Sequence, residues 1–162
     1  MKSNHQILAA ADSAAELFGN GFHCAEAVAW AVLEAVKVDP AQAAAHATAF
    51  GGGFGRSFEE ACGALSGGLI AIGHLHGRSA PEGEWDVPAK LGAELRNRFV
   101  EDFGTTHCAT LRERFGQERQ MQQCRRLVHG VVVRLLELLE ENTDKFEVLS
   151  CDRPAGCAQE AG

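Results

Sequence analysis

The 162-residue chain has no tyrosine, only two tryptophans and four prolines, and no segment alternating apolar and polar residues with the Val, Ile and Thr enrichment of a half-buried strand. β-structure is not expected. No stretch approaches the roughly 18 uninterrupted apolar residues that span a bilayer, and the start MKSNHQILAAADSAAELF mixes apolar with charged residues, unlike a secretory signal. A cytoplasmic protein without a membrane partner is expected. Positive charge is scarce, with 15 Lys and Arg against 22 Asp and Glu and a net charge of -7. Without a basic field to attract phosphates, nucleic acid is set aside as a partner. There is no C-x-x-C pair, which removes a thioredoxin-type dithiol, a zinc ribbon and C-x-x-C-H haem attachment. No internal repeat is found.

What is present is helical. The chain is the size of one compact domain, 46% hydrophobic and able to bury its own core. It is rich in residues that favour helix. The expected fold is all-α, a single-domain bundle of about six helices over residues 1–142, with a peripheral tail at 143–162. Ser3 caps a first helix running to Phe18, with Gly19 as terminator. A second starts near Phe22, and Asp39-Pro40 opens a third through about Phe50. Gly51-Gly52-Gly53-Phe54-Gly55 is a loop, since glycine costs roughly 0.8–1.0 kcal/mol against alanine inside a helix. Ser57 and Glu60 fit a capping box opening a fourth helix through Cys62 to Gly77. Asp86 and Pro88 open a fifth ending at Phe103-Gly104, Thr106 caps a short sixth holding Cys108, and a last helix spans about 117–141.

Six cysteines in a chain expected to be cytosolic point to metal ligation or reactive thiols rather than structural disulfides. Cys24, Cys62 and Cys108 fall in the first turn or so of predicted helices, and Cys124 within about two turns of one. Unpaired amides and the macrodipole at a helix N-terminus stabilise a thiolate, lowering its pKa from about 8.5 to between roughly 3.5 and 7.5. A thiolate is both nucleophile and metal ligand. Cysteine is also among the most buried residue types, so each could simply fill a helix interface.

Gly63, Gly67 and Gly68 weaken the helix after Cys62 without adding packing area. Either a neighbouring helix approaches closely, or a cofactor rests beside Cys62. The 51–55 loop lacks the Lys and Ser or Thr of a phosphate-binding loop. His23 and His107 read as capping or surface residues, while His74, His76 and His129 match no metal motif. Cys151 and Cys157 lie in the tail.

The segments Asn20-Gly21-Phe22-His23-Cys24-Ala25, Phe50 to Gly55, Cys62-Gly63-Ala64-Leu65-Ser66-Gly67 and Phe103-Gly104-Thr105-Thr106-His107-Cys108, followed by Cys124, resemble the redox-active protein family named for its C_GCAxxG_C_C signature. Ala61 stands where that signature has a glycine before its second cysteine. The resemblance implies four functional cysteines and a redox role. A more distant similarity, to the cluster-bearing part of split-Soret cytochromes, implies a two-iron cluster on such cysteines; no haem-attachment motif accompanies it here.

The expected function is therefore electron transfer or redox sensing through an iron–sulfur cluster, of [2Fe–2S] type, with Cys24, Cys62, Cys108 and Cys124 as ligands and Gly63 and Gly67 beside the cofactor. A metal-free thiol–disulfide oxidoreductase and a structural zinc or helical interaction protein are the alternatives. A redox partner protein is implied, and a homodimer stays open.

Overall fold

The computed structural model describes residues 2–143. Cys151, Cys157 and nearly all of the expected tail lie outside the described residues. Within them the chain forms seven α-helices, α1 (Asn4–Gly19), α2 (Cys24–Ala35), α3 (Ala41–Ala47), α4 (Gly63–His76), α5 (Asp86–Phe103), α6 (Cys108–Phe115) and α7 (Gln120–Glu141). A 3-10 turn at Thr48–Phe50 extends α3. The all-α expectation holds, and the seven helices are close to the bundle of about six expected. No strand occurs among the described residues.

Each helix has a local cause. Ser3 closes a capping box on α1, its Oγ accepting from the Gln6 amide while the Gln6 side chain accepts from the Ser3 amide. Asp39 accepts from the Ala41 amide at the start of α3. α5 ends where Gly104 takes φ 82°, the left-handed stop that glycine provides without steric cost. α7 turns one apolar stripe inward, with Leu127, Val128, Val131, Val132, Leu135, Leu136, Leu138 and Leu139 buried.

The central pair is α2 and α4. α2 is buried along most of its length, from Ala25 to Leu33, and α4 is buried from Gly63 to Gly68. α1 and α7 pack together against α2, and α5 closes the far side of α4. Small residues make the central contact close. A Cβ on Gly67 would lie on the backbone carbonyl of Ala25 and 2.9 Å from its Cα. Nothing larger than glycine fits that crossing without displacing backbone. α2 stops without a glycine, at a left-handed Lys37 with φ 62°.

Two boundaries differ from expectation. Ser57 and Glu60 do not form a capping box, and α4 begins only at Gly63 with Cys62 as its N-cap. The Ser57 hydroxyl donates instead to the Gly53 carbonyl. The backbone of 60–62 is engaged elsewhere: the Cys62 amide donates to Thr106 O at 2.7 Å and the Cys108 amide to Glu60 O at 2.8 Å, around an antiparallel bridge between Ala61 and His107. Groups committed to that pairing cannot also form a helical turn. The same pairing displaces the start of α6, so its N-cap is His107 rather than Thr106.

Candidate functional site: four thiols around one cavity

Three of the four central cysteines occupy equivalent places. Cys24 is the first residue of α2, Cys62 the N-cap of α4, and Cys108 the first residue of α6; Cys124 is the fifth residue of α7. All four are free thiols, Cys62 and Cys108 buried and the other two half-buried. All four line one cavity of about 370 Å³. Residues 100 positions apart in the chain thus meet at the same opening. The Ala61–His107 bridge supplies part of the reason, because it ties together the residues just before Cys62 and Cys108.

The remaining wall is mainly apolar, from Phe18, Phe22, Phe58, Leu111, Met121 and Leu127. Gly63 also lines it, and a Cβ there would run into the Cys24 sulfur and stand 2.9 Å from the Phe50 carbonyl. Gly63 therefore lets the Cys24 thiol reach the start of α4. Gly67 does not line the cavity; the neighbouring helix accounts for it.

The loop before α4 wraps the site in an unusual conformation. Gly52, Gly53, Phe54, Gly55 and Arg56 are consecutive residues with φ between 59° and 63°, and Phe58 adds a sixth at 62°. Left-handed backbone costs an ordinary residue roughly 1–2 kcal/mol, so Phe54, Arg56 and Phe58 hold strain that their surroundings impose. A Cβ on Gly53 would come within 2.8 Å of the Cys108 Cβ. Arg56 reaches back to His23, with Nη2 donating to Nε2 at 2.8 Å. Guanidinium nitrogens only donate, so Nε2 is the acceptor. His23 is the N-cap of α2 and lines the cavity. His74, His76 and His129 do not line it, and His129 pairs with Asp12 at 3.4 Å.

The electrostatics correct one sequence expectation. Helix N-termini were expected to hold these thiols as thiolates, yet burial dominates. Cys62 is pushed well above the usual thiol range, first by desolvation and then by the Cys24 charge, against lowering by the Ala64 and Leu65 amides. Burial and then Cys24 likewise raise Cys108 and push Cys124 up to about 11. At Cys62 the helix-end amides act in the expected direction and lose to desolvation and like-charge repulsion; at Cys108 and Cys124 the opposing influence is the Arg112 charge. In the metal-free protein burial keeps Cys62, Cys108 and Cys124 protonated; a bound metal reverses that balance, because a coordinating thiol is deprotonated outright.

Among the described residues no three His, Cys, Asp or Glu side chains converge closely enough to hold a single ion. A tetrahedral zinc site, with Zn–S near 2.3 Å, needs such convergence. A volume of about 370 Å³ also exceeds what one ion needs, since a water occupies about 30 Å³ in the liquid. The donor set, four soft sulfurs spread around one apolar chamber, suits a polynuclear iron–sulfur group better than a lone ion.

Sequence reasoning missed Arg112, which lines the cavity with its guanidinium 3.7 Å from the Phe58 ring centroid. The available signal was its spacing, four residues after Cys108 and so on the same helical face.

Fold and site together define a helical four-thiol protein. Residues 22–138 match the family described as "Putative redox-active protein (C_GCAxxG_C_C)". The chain belongs to that family, as its cysteine segments implied, and it is a redox-active protein in that sense. No curated protein and no solved structure matches it. None of its described helices is long and apolar enough to cross a membrane.

Proposed function

We propose that the chain carries an iron–sulfur cluster on Cys24, Cys62, Cys108 and Cys124 and works as an electron-transfer or redox-sensing protein. The observation that carries this reading is the meeting of four thiols from four different helices at one cavity. The cluster would supply the one-electron chemistry. The chain supplies soft ligands, amides of α4 directed at the Cys62 sulfur, and an apolar wall that limits water, which are the means by which a protein sets a cluster's potential. The family's redox character and the roominess of the cavity support it.

The metal-free thiol–disulfide reading is less well supported. Its nucleophile must be a thiolate at neutral pH, and burial holds Cys62, Cys108 and Cys124 in the opposite direction. A mononuclear zinc site is weakened by the spread of the sulfurs.

The test is anaerobic purification followed by iron, sulfide and zinc analysis and a visible spectrum. Iron and sulfide in equal amounts, with a thiolate-to-iron charge-transfer band, are expected. Protein that stays colourless after anaerobic reconstitution with ferrous iron and sulfide contradicts the proposal.

A further inference from the structure

Arg112 has no role in that scheme so far, and its surroundings are incomplete. Its Nε is buried without a hydrogen-bond partner, the one buried side-chain nitrogen or oxygen in that condition among the described residues. The arginine ion pairs of the described residues belong to Arg98 and Arg134, so no carboxylate neutralises Arg112. A buried donor left without a partner is costly, and more so when it is charged. Stacking on Phe58 offsets some of this and fixes the side chain at the cavity wall, but it satisfies no N–H.

The available partners are few. The polar side chains sharing the cavity with Arg112 are the four thiols, His23 and Gln120. Arg112 also lines a neighbouring groove with Phe58, Glu59 and Glu113; neither carboxylate forms an ion pair with it, and both repel a free anion arriving from solvent. The negative charge that Arg112 can meet inside the chamber is the one its own cysteines carry when they ligate. Cys108 and Cys124 are the thiols within its electrostatic reach.

We propose that Arg112 is the counter-charge of the four-cysteine site, donating its Nε–H to sulfur of the loaded site and stabilising the reduced state. This inference rests on the iron–sulfur reading. One electron from an external donor adds one negative charge to the loaded site, with no bond made or broken in the chain, and a fixed cation beside it makes that addition easier.

The test compares wild type, Arg112→Gln and Arg112→Lys after anaerobic reconstitution, by potentiometric titration with dithionite alongside iron and sulfide analysis. The glutamine variant's loaded fraction, quantified by iron and sulfide, is expected to shift its one-electron equilibrium at least tenfold toward the oxidised state, about 59 mV more negative. The lysine variant, which keeps the charge, should recover most of that shift. Arg112→Met fills similar space without charge and should behave as the glutamine variant, so a folding defect peculiar to glutamine does not decide the outcome. A loaded neutral variant at the wild-type potential, or a lysine variant as displaced as the neutral ones, overturns this inference alone. A wild-type protein that takes up no iron and sulfide overturns the iron–sulfur reading and this inference with it.

Discussion

At the residue scale, Gly63 and Gly67 stand four apart on α4 and do different work. Both exclude a side chain, Gly63 because the Cys24 sulfur lies against it and Gly67 because the Ala25 carbonyl does. Gly67→Ala forces two backbones apart and should cost about 1–3 kcal/mol in urea unfolding, while the protein that remains folded still binds its iron. Gly63→Ala should cost a similar amount and, in addition, lower the iron bound per folded molecule, because Cys24 must move. Equal loading in the two variants would show that the cavity wall tolerates a methyl at 63. Sequence reasoning placed both glycines beside a cofactor or a helix; their difference was not legible, since periodicity gives both the same face of α4 and only the packing shows what that face meets.

At the scale of the element, left-handed backbone occurs both in the loop before α4 and at helix ends such as Lys37 and Gly104. The left-handed residues from Gly52 to Phe58 surround the site, with Gly53 on Cys108 and Arg56 on His23. Strain of this kind persists where the surroundings over-determine the backbone. Lys37 is left-handed for a purely local reason, the end of α2, and is exposed. Lys37→Gly should therefore stabilise the protein by about 1 kcal/mol, seen as a melting temperature about 2–4 °C higher, with metal binding unchanged. The helix positions were largely legible, because Ser3, Asp39, Asp86 and Gly104 are local signals acting locally. The start of α4 was not. Ser57 and Glu60 have capping-box spacing, but the tie between 60–62 and 106–108 outcompetes it, and a bridge between residues 46 apart in the chain leaves no mark in either segment.

At the scale of the whole molecule, the four cysteines were legible as candidates and their assembly was not. Their helix-start positions could be read, yet the shared cavity exists only because α2, α4, α6 and α7 bring their N-terminal halves to one place. The same burial makes stability depend on pH in the metal-free protein. Cys62, Cys108 and Cys124 have folded-state pKa values raised above the usual 9.0, Cys124 to about 11. The folded state then keeps protons that the unfolded chain releases, so stability is fully present below pH 9 and falls as pH rises through 9 toward 11 and beyond. Urea unfolding of metal-free protein at pH 7.5 and pH 10 should show a lower midpoint at the higher pH, and metal-loaded protein should lose less.

Whether Cys24, Cys62, Cys108 and Cys124 form one site is read from iron and sulfide per protein after anaerobic reconstitution of the four single Cys→Ser variants beside wild type. Wild type should hold iron and sulfide in equal amounts and each variant should lose much of both, with Cys62→Ser, at the N-cap of α4, among the most affected. Full loading in all four variants, or no loading in wild type, would contradict a single four-cysteine site.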